Sequence, residues 1–258
     1  AVTWTQVSQY IVLIIAYLIP VIWLSVQQTN FPIPQLVYGQ QLQKVTDLEN
    51  KINSDPAEIQ VRNIVADAKL KLKNVSESYA GEVSKQKEKN SAHLEDEATY
   101  AEHLKILSSG NSKPPIPHAE PFPGETEDDK WAAKKNFFAL LFCLALGTAS
   151  LPHILMRYYT TPSVSEARTS VTWSLLFIIL LYFTAPALAV LVKFVVYNDI
   201  VGITYSAIPA WVEKWSAVDT NLLSINDINS DNIIQLAEIT IHKDIIVLAT
   251  PEIAGLPF

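Results

Sequence analysis

Three long runs without a charged side chain decide what this chain can fold into: residues 7–26, 136–156 and 171–192, the last with room to continue past Lys193 to Tyr197. Twenty helical residues reach about 30 Å, the thickness of a bilayer's hydrocarbon core. Only helices and closed barrels satisfy their backbone hydrogen bonds in lipid. These runs lack the in/out alternation of barrel strands, so they read as helices. Nearly all the charge lies between them, in a chain of 258 residues with net charge −7. That partition excludes a soluble globule, a disordered chain and a collagen-like chain. Cys143 is the only cysteine, so no disulfide scaffold is available. Excess acid without a basic stripe argues against a nucleic-acid partner. The fold class expected is an all-α membrane protein.

The first run is no secretory signal. It lacks a basic leader, is too long for a signal's apolar core, and no small-x-small site follows. Trp4, Tyr10 and Trp23 mark its ends, and Trp131 and Trp173 lie near the starts of the other two. Each run carries a proline: Pro20, Pro152 and Pro186. Simple kinks account for Pro20 and Pro186. Pro152 sits in Gly147-Thr-Ala-Ser-Leu-Pro-His153, where a glycine, two hydroxyls, a proline and an imidazole crowd seven residues. We read a locally opened helix facing a polar cavity there, against the blander alternative of a kink.

Between the first two runs, residues 31–134 form a polar insertion with 13 basic and 17 acidic residues. Asp55 as N-cap, Pro56 at the first helical position and Glu58 at the third predict a helix start. Val61, Val65, Ala68, Leu72, Val75 and Tyr79 then recur at helical spacing, as do Leu94, Ala98, Ala101 and Leu104. A helical hairpin or short coiled-coil arm fits both sets, as a solvated spacer or as a partner-binding arm. The prolines from Pro114 to Pro123 predict an extended connector. Thr126, followed by Glu127, Asp128 and Asp129, caps the helix into the second run.

A second polar stretch follows the third run. Asp227, Asn229, Asp231, Ile233, Gln235 and Glu238 occupy positions 1, 3, 5, 7, 9 and 12 of the calcium-loop template D-x-[DN]-x-[DN]-G-x5-E. The expected ligands are three side-chain oxygens, the Ile233 carbonyl, Gln235 directly or through water, and both Glu238 oxygens. Asn232 replaces the usual glycine, and asparagine tolerates positive φ better than other residues with a Cβ. The competing reading is an Asn/Asp-rich turn before a short helix. His93, His103, His118 and His242 have no second ligand at metal spacing. No serine-hydrolase, zinc-protease, P-loop or dinucleotide-binding motif is present, so the chain does not read as an enzyme.

The stretch Gly147-Thr-Ala-Ser-Leu-Pro-His-Ile-Leu-Met-Arg-Tyr-Tyr-Thr-Thr-Pro162, followed by Ala167-Arg168 and a long apolar run, resembles the sodium:solute symporter family, in particular its cation–acetate symporter branch. Thr3-Trp-Thr-Gln-Val-Ser-Gln9 and Ile246-Val-Leu-Ala-Thr-Pro-Glu-Ile-Ala-Gly-Leu-Pro257 resemble that family's approaches to the neighbouring spans. The 31–134 insertion lies outside the resemblance. The likeness implies part of an inverted-repeat, LeuT-like transporter core of about thirteen helices, moving a cation and a small solute by alternating access. It further implies that Leu144, Gly147, Thr148, Ser150, Pro152 and His153 line the solute path, and that Arg157 has a gating or structural role. Gln6 stands where several relatives carry an acid, which leaves the coupling ion open. The implied partners are a small organic anion, the lipid bilayer and the remaining helices of the same transporter. Na⁺ is the implied coupling ion, no cofactor is required, and a structural Ca²⁺ is the one further ion expected.

Arg157 and Arg168 flank the short loop at 157–170, which favours placing that loop in the cytoplasm and both polar insertions in the periplasm of a bacterial inner membrane. The organisation expected is a transmembrane helix over 1–30, the polar insertion over 31–134, two spans over 135–197, a polar loop over 198–245 and the start of another membrane element over 246–258. Such a chain reads as an internal fragment of a polytopic protein. The leading functional expectation is a Na⁺-coupled transporter of a small monocarboxylate such as acetate. The alternatives are a transporter-like sensor module of a signalling protein, and a membrane scaffold whose arm recruits a partner.

Overall fold

The computed structural model describes residues 2–82, 105–124, 126–152, 156 and 159–256. Helices dominate. α1 spans Val2–Thr29, α2 Pro34–Ser54, α3 Pro56–Glu82, α4 Glu127–Ala149 and α5 Val164–Val195. A π-helical turn, Val196–Ile200, extends α5. Beyond it lie α6 (Ala210–Val218), β1 (Leu223–Ile225), β2 (Ile239–Ile241) and α7 (Lys243–Ile253). The antiparallel pair β1–β2, with Leu223 opposite Ile241, is the exception to the expected all-α chain.

Trp4–Thr29, Glu127–Ala149 and Val164–Ile200 are long and apolar enough to cross a membrane. α1 runs through Pro20 and α5 through Pro186 without interruption. α5 starts seven residues before the apolar run, because the Ser163 hydroxyl accepts the Glu166 N–H at 3.2 Å and caps it. α4 starts as expected. Thr126 and Asp129 exchange side-chain and backbone hydrogen bonds in a capping box, and three acids occupy the first turn.

The insertion is no solvated spacer at its start. α2 lies against the C-terminal half of α5 and buries Gln41, Val45, Glu49 and Ile52. Val45 and Ile52 join Val21 and Leu24 of α1, and Leu188, Leu191 and Val192 of α5, in the main core. Cross-links fix the three helices. Gln28 Nε2 donates to Leu191 O at 3.0 Å, Gln41 Nε2 to Gln28 O at 3.1 Å, and Tyr10 meets Phe177 edge-on with centroids 6.0 Å apart.

α3 starts where expected, with Asp55 Oδ1 accepting the Ala57 N–H at 3.0 Å. Glu58 departs from its expected capping role. It is buried, pairs with Arg62 at 2.9 Å, and accepts the Ala237 N–H at 3.2 Å. Val61 and Val65 pack with Ile228 and Ala237 in a second, smaller core. The side chains of Val75 and Tyr79, and all of Leu94, Ala98, Ala101, Leu104, His93 and His103, lie outside the described residues.

Candidate functional site

α4 ends inside its apolar run. Ser150 caps it, with its N–H donating to Leu146 O at 3.0 Å, and Leu151 stands outside helix before Pro152. Proline has no N–H to continue the ladder, and the residue before it is pushed away from helical geometry. Glycine at 147 adds backbone freedom just ahead. The break covers Ser150 and Leu151: Gly147 to Ala149 belong to α4 and Pro152 is helical again, a geometry that an opened helix and a proline kink share.

The hydroxyls beside it turn back onto the helix. Thr148 Oγ1 donates to Leu144 O at 2.7 Å, and Ser150 Oγ to Gly147 O at 3.0 Å. Each hydroxyl spends its proton and keeps oxygen lone pairs. The end of a helix also carries the negative end of its dipole and carbonyls without helical partners. Such an arrangement offers oxygens to a cation. Leu144, Gly147, Thr148, Ser150 and Pro152 are all exposed, and no residue of α4 is buried. The expected polar cavity around them is not formed by the described residues. Gln6 is likewise exposed on α1. His153 and Arg157 lie outside the described residues.

A second feature escapes sequence reading. Glu49, 2 % exposed, forms an ion pair with Lys193 and accepts the His118 N–H at 3.2 Å. The Lys193 ammonium also lies 5.2 Å from the Tyr197 ring centroid. This cluster ties α2, α5 and the proline connector together at one wall of an apolar cleft of ≈ 400 Å³, which Trp211, Ile245 and Ile253 also line. Desolvation against the cleft, with the Lys193 charge, holds the His118 imidazole below the usual histidine range. Sequence spacing offers no signal for a pair 144 residues apart.

The calcium-like segment forms a tight loop. Asp227 Oδ2 accepts the Asn232 N–H at 3.2 Å, Asn229 Oδ1 the Asp231 N–H at 3.1 Å, and Asp231 Oδ1 the Ile233 N–H at 2.8 Å. Asn232 adopts φ 60°, the left-handed conformation that the template assigns to glycine. Glu238 departs from expectation. Its Oε1 accepts the Ile228 N–H at 2.7 Å, and its Oε2 accepts both the Gln235 N–H and the Tyr205 hydroxyl at 3.1 Å. Oε2 is saturated, so closure of the loop by both Glu238 oxygens is replaced by internal hydrogen bonding. Burial pushes the Glu238 carboxyl up, and the Asp227 charge adds to the rise.

α7 occupies the segment expected to begin another membrane element. His242 Nδ1 accepts the Asp244 N–H at its start. At its end Gly255, with φ +67°, lets Gly255 N–H reach Glu252 O and Leu256 N–H reach Pro251 O, a Schellman stop.

The chain aligns over its whole length, at 38 % identity, with an uncharacterized symporter of Cupriavidus necator, of which it covers 42 %. A shorter stretch, 17 % of the chain, is 56 % identical to part of a monocarboxylic acid transporter of Corynebacterium glutamicum, covering 8 % of that protein. The chain thus spans less than half the length of either relative. No family model and no solved structure matches it.

Proposed function

We propose that the intact protein is a secondary active transporter that couples Na⁺ to the movement of a small organic anion, a monocarboxylate such as acetate, by alternating access. The observation that carries this reading is a membrane-length helix that stops within its own apolar run, at hydroxyls whose oxygens remain available. An interrupted helix is costly in lipid unless protein or a hydrated path covers its free backbone groups. Interrupted helices near the midplane are where transporters place ions and solutes. The names of the two aligned relatives support transport, and the second supports a monocarboxylate.

In this reading Leu144, Gly147, Thr148, Ser150, Pro152 and His153 line the path. Arg157 and Gln6 gate or brace it. Helices of the same protein complete the cavity that α4 leaves open. The short loop at 157–170 faces the cytoplasm and the polar insertions face the periplasm of a bacterial inner membrane.

Uptake of labelled acetate into proteoliposomes holding the intact protein tests the proposal. Accumulation that depends on an inward Na⁺ gradient, and that competing short-chain carboxylates reduce, is expected. Absence of uptake across small carboxylates, or uptake indifferent to Na⁺, overturns it.

A further inference from the structure

The apolar cleft beside Glu49 and Lys193 lies where α5 leaves its apolar run. Val192 closes that run and Lys193 follows, the position at which a lysine stem lies along apolar surface and its ammonium reaches toward headgroups. The cleft, of ≈ 400 Å³, straddles this level. Ala189 and Val192 line it from within the run, Val196 from beyond it, and Trp211, Ile246 and Ile253 from α6 and α7. Ala189 is exposed, and at helical spacing it continues Ile178, Tyr182 and Ala185, all exposed on α5. No charged residue stands on α5 between Ile178 and Ala189. The cleft is thus continuous with the outward apolar face of a membrane-length helix.

The polar wall of the cleft is already neutral. Lys193 is paired with Glu49. Burial, with the Lys193 charge, holds His118 below the usual histidine range, so its imidazole is uncharged at neutral pH. An anion entering the cleft would compete with Glu49 for Lys193, and a cation would meet the Lys193 charge. A second helix, about 10–12 Å across with its side chains, is too wide for a space of this size. Apolar voids take apolar guests rather than water, and their walls lack dispersion partners until they are filled. An uncharged, narrow, apolar occupant meets all of these conditions, and the neighbouring bilayer is made of such chains.

We propose that this cleft is a lipid site, which takes one acyl tail of a bilayer phospholipid past Ala189 into the space between α5, α6 and α7. The tail lies along Val192 and Val196 and against Trp211 and Ile253. It fills a volume that the described side chains leave open, and it keeps water from the Glu49–Lys193 pair. Because Lys193 is held by Glu49, the site selects the tail and is indifferent to the charge of the headgroup.

Photo-crosslinking of the intact protein in nanodiscs tests this independently of uptake. The probes are phosphatidylcholine and phosphatidylglycerol, each with a diazirine near the end of one acyl tail, and mass spectrometry maps the adducts. Adducts on Trp211 and Ile253 are expected in equal yield from the two probes, beside adducts on the exposed Tyr182. Ala189→Phe places a ring at the exposed edge of the cleft and is expected to lose the Trp211 and Ile253 adducts while keeping those on Tyr182. Ala189→Ser stays small and is expected to keep both sets. The map of the unmodified protein decides without any variant. Adducts confined to the outward face of α5, a Trp211 yield that follows headgroup charge, or Trp211 and Ile253 adducts unchanged in Ala189→Phe, each overturns the proposal.

Discussion

Glu49 looks unremarkable as one acid among seventeen in its insertion, yet its carboxylate joins two helices and the connector. A buried charge that loses its partner costs far more than an exposed pair contributes. Lys193→Ala should therefore destabilise the protein by about 3–5 kcal/mol. The double change Glu49→Met with Lys193→Met should cost clearly less, since no buried charge is left unpaired. Detergent-solubilised unfolding of the two variants gives the comparison, and equal losses would contradict it. Gly110 shows packing at the same scale. A Cβ there would meet Ala237 O at 2.7 Å and Val65 Cγ2 at 2.8 Å. Gly110→Ala should cost about 1–3 kcal/mol by overpacking, measured in the same way.

Glu58 supplies a pH dependence. Burial raises its carboxyl pKa despite Arg62 and the Ala237 N–H. A raised folded-state value means that the folded form binds the proton more tightly than the unfolded form. The stability this contributes is fully present below the ordinary carboxyl pKa and is lost as pH rises through the raised value. Glu58→Gln should flatten the fall in unfolding midpoint over that window. An unchanged pH profile would contradict the assignment.

Among the elements, the helices were legible where a local rule fixes them. Apolar length revealed α1, α4 and α5, and Asp55-Pro56 and Thr126 marked two starts. Thr126→Ala should cost about 1 kcal/mol by removing the cap of α4, visible as a lower unfolding midpoint, and Thr126→Ser should restore most of it. Ser163 carries the same kind of start signal for α5, but Glu166 and Arg168 separate it from the uncharged run. The strands β1 and β2 hold three residues each, too few for alternation to register. Glu238 matched a spacing template. Its actual direction depends on Tyr205 and on the N–H groups of Ile228 and Gln235, which no linear pattern contains.

At the scale of the whole molecule, one asymmetry organises the rest. α2 and α7 are packed against the C-terminal parts of α1 and α5, whereas α4 buries no residue and leaves Leu144, Thr148 and Ser150 exposed. The sequence identified the interrupted segment because glycine, hydroxyls and proline are local features. No described residue walls that segment in, and no local feature of a sequence signals what lies across from a helix face. In the proposed transporter a hydrated solute path touches the end of α4. Thiol labelling tests it most directly, with Ser150→Cys introduced into the intact protein after Cys143→Ala removes the native thiol. A charged, membrane-impermeant reagent should modify position 150, and transported carboxylate should slow the modification. A position 150 that resists the charged reagent while a lipophilic one labels it freely would rule out such a path.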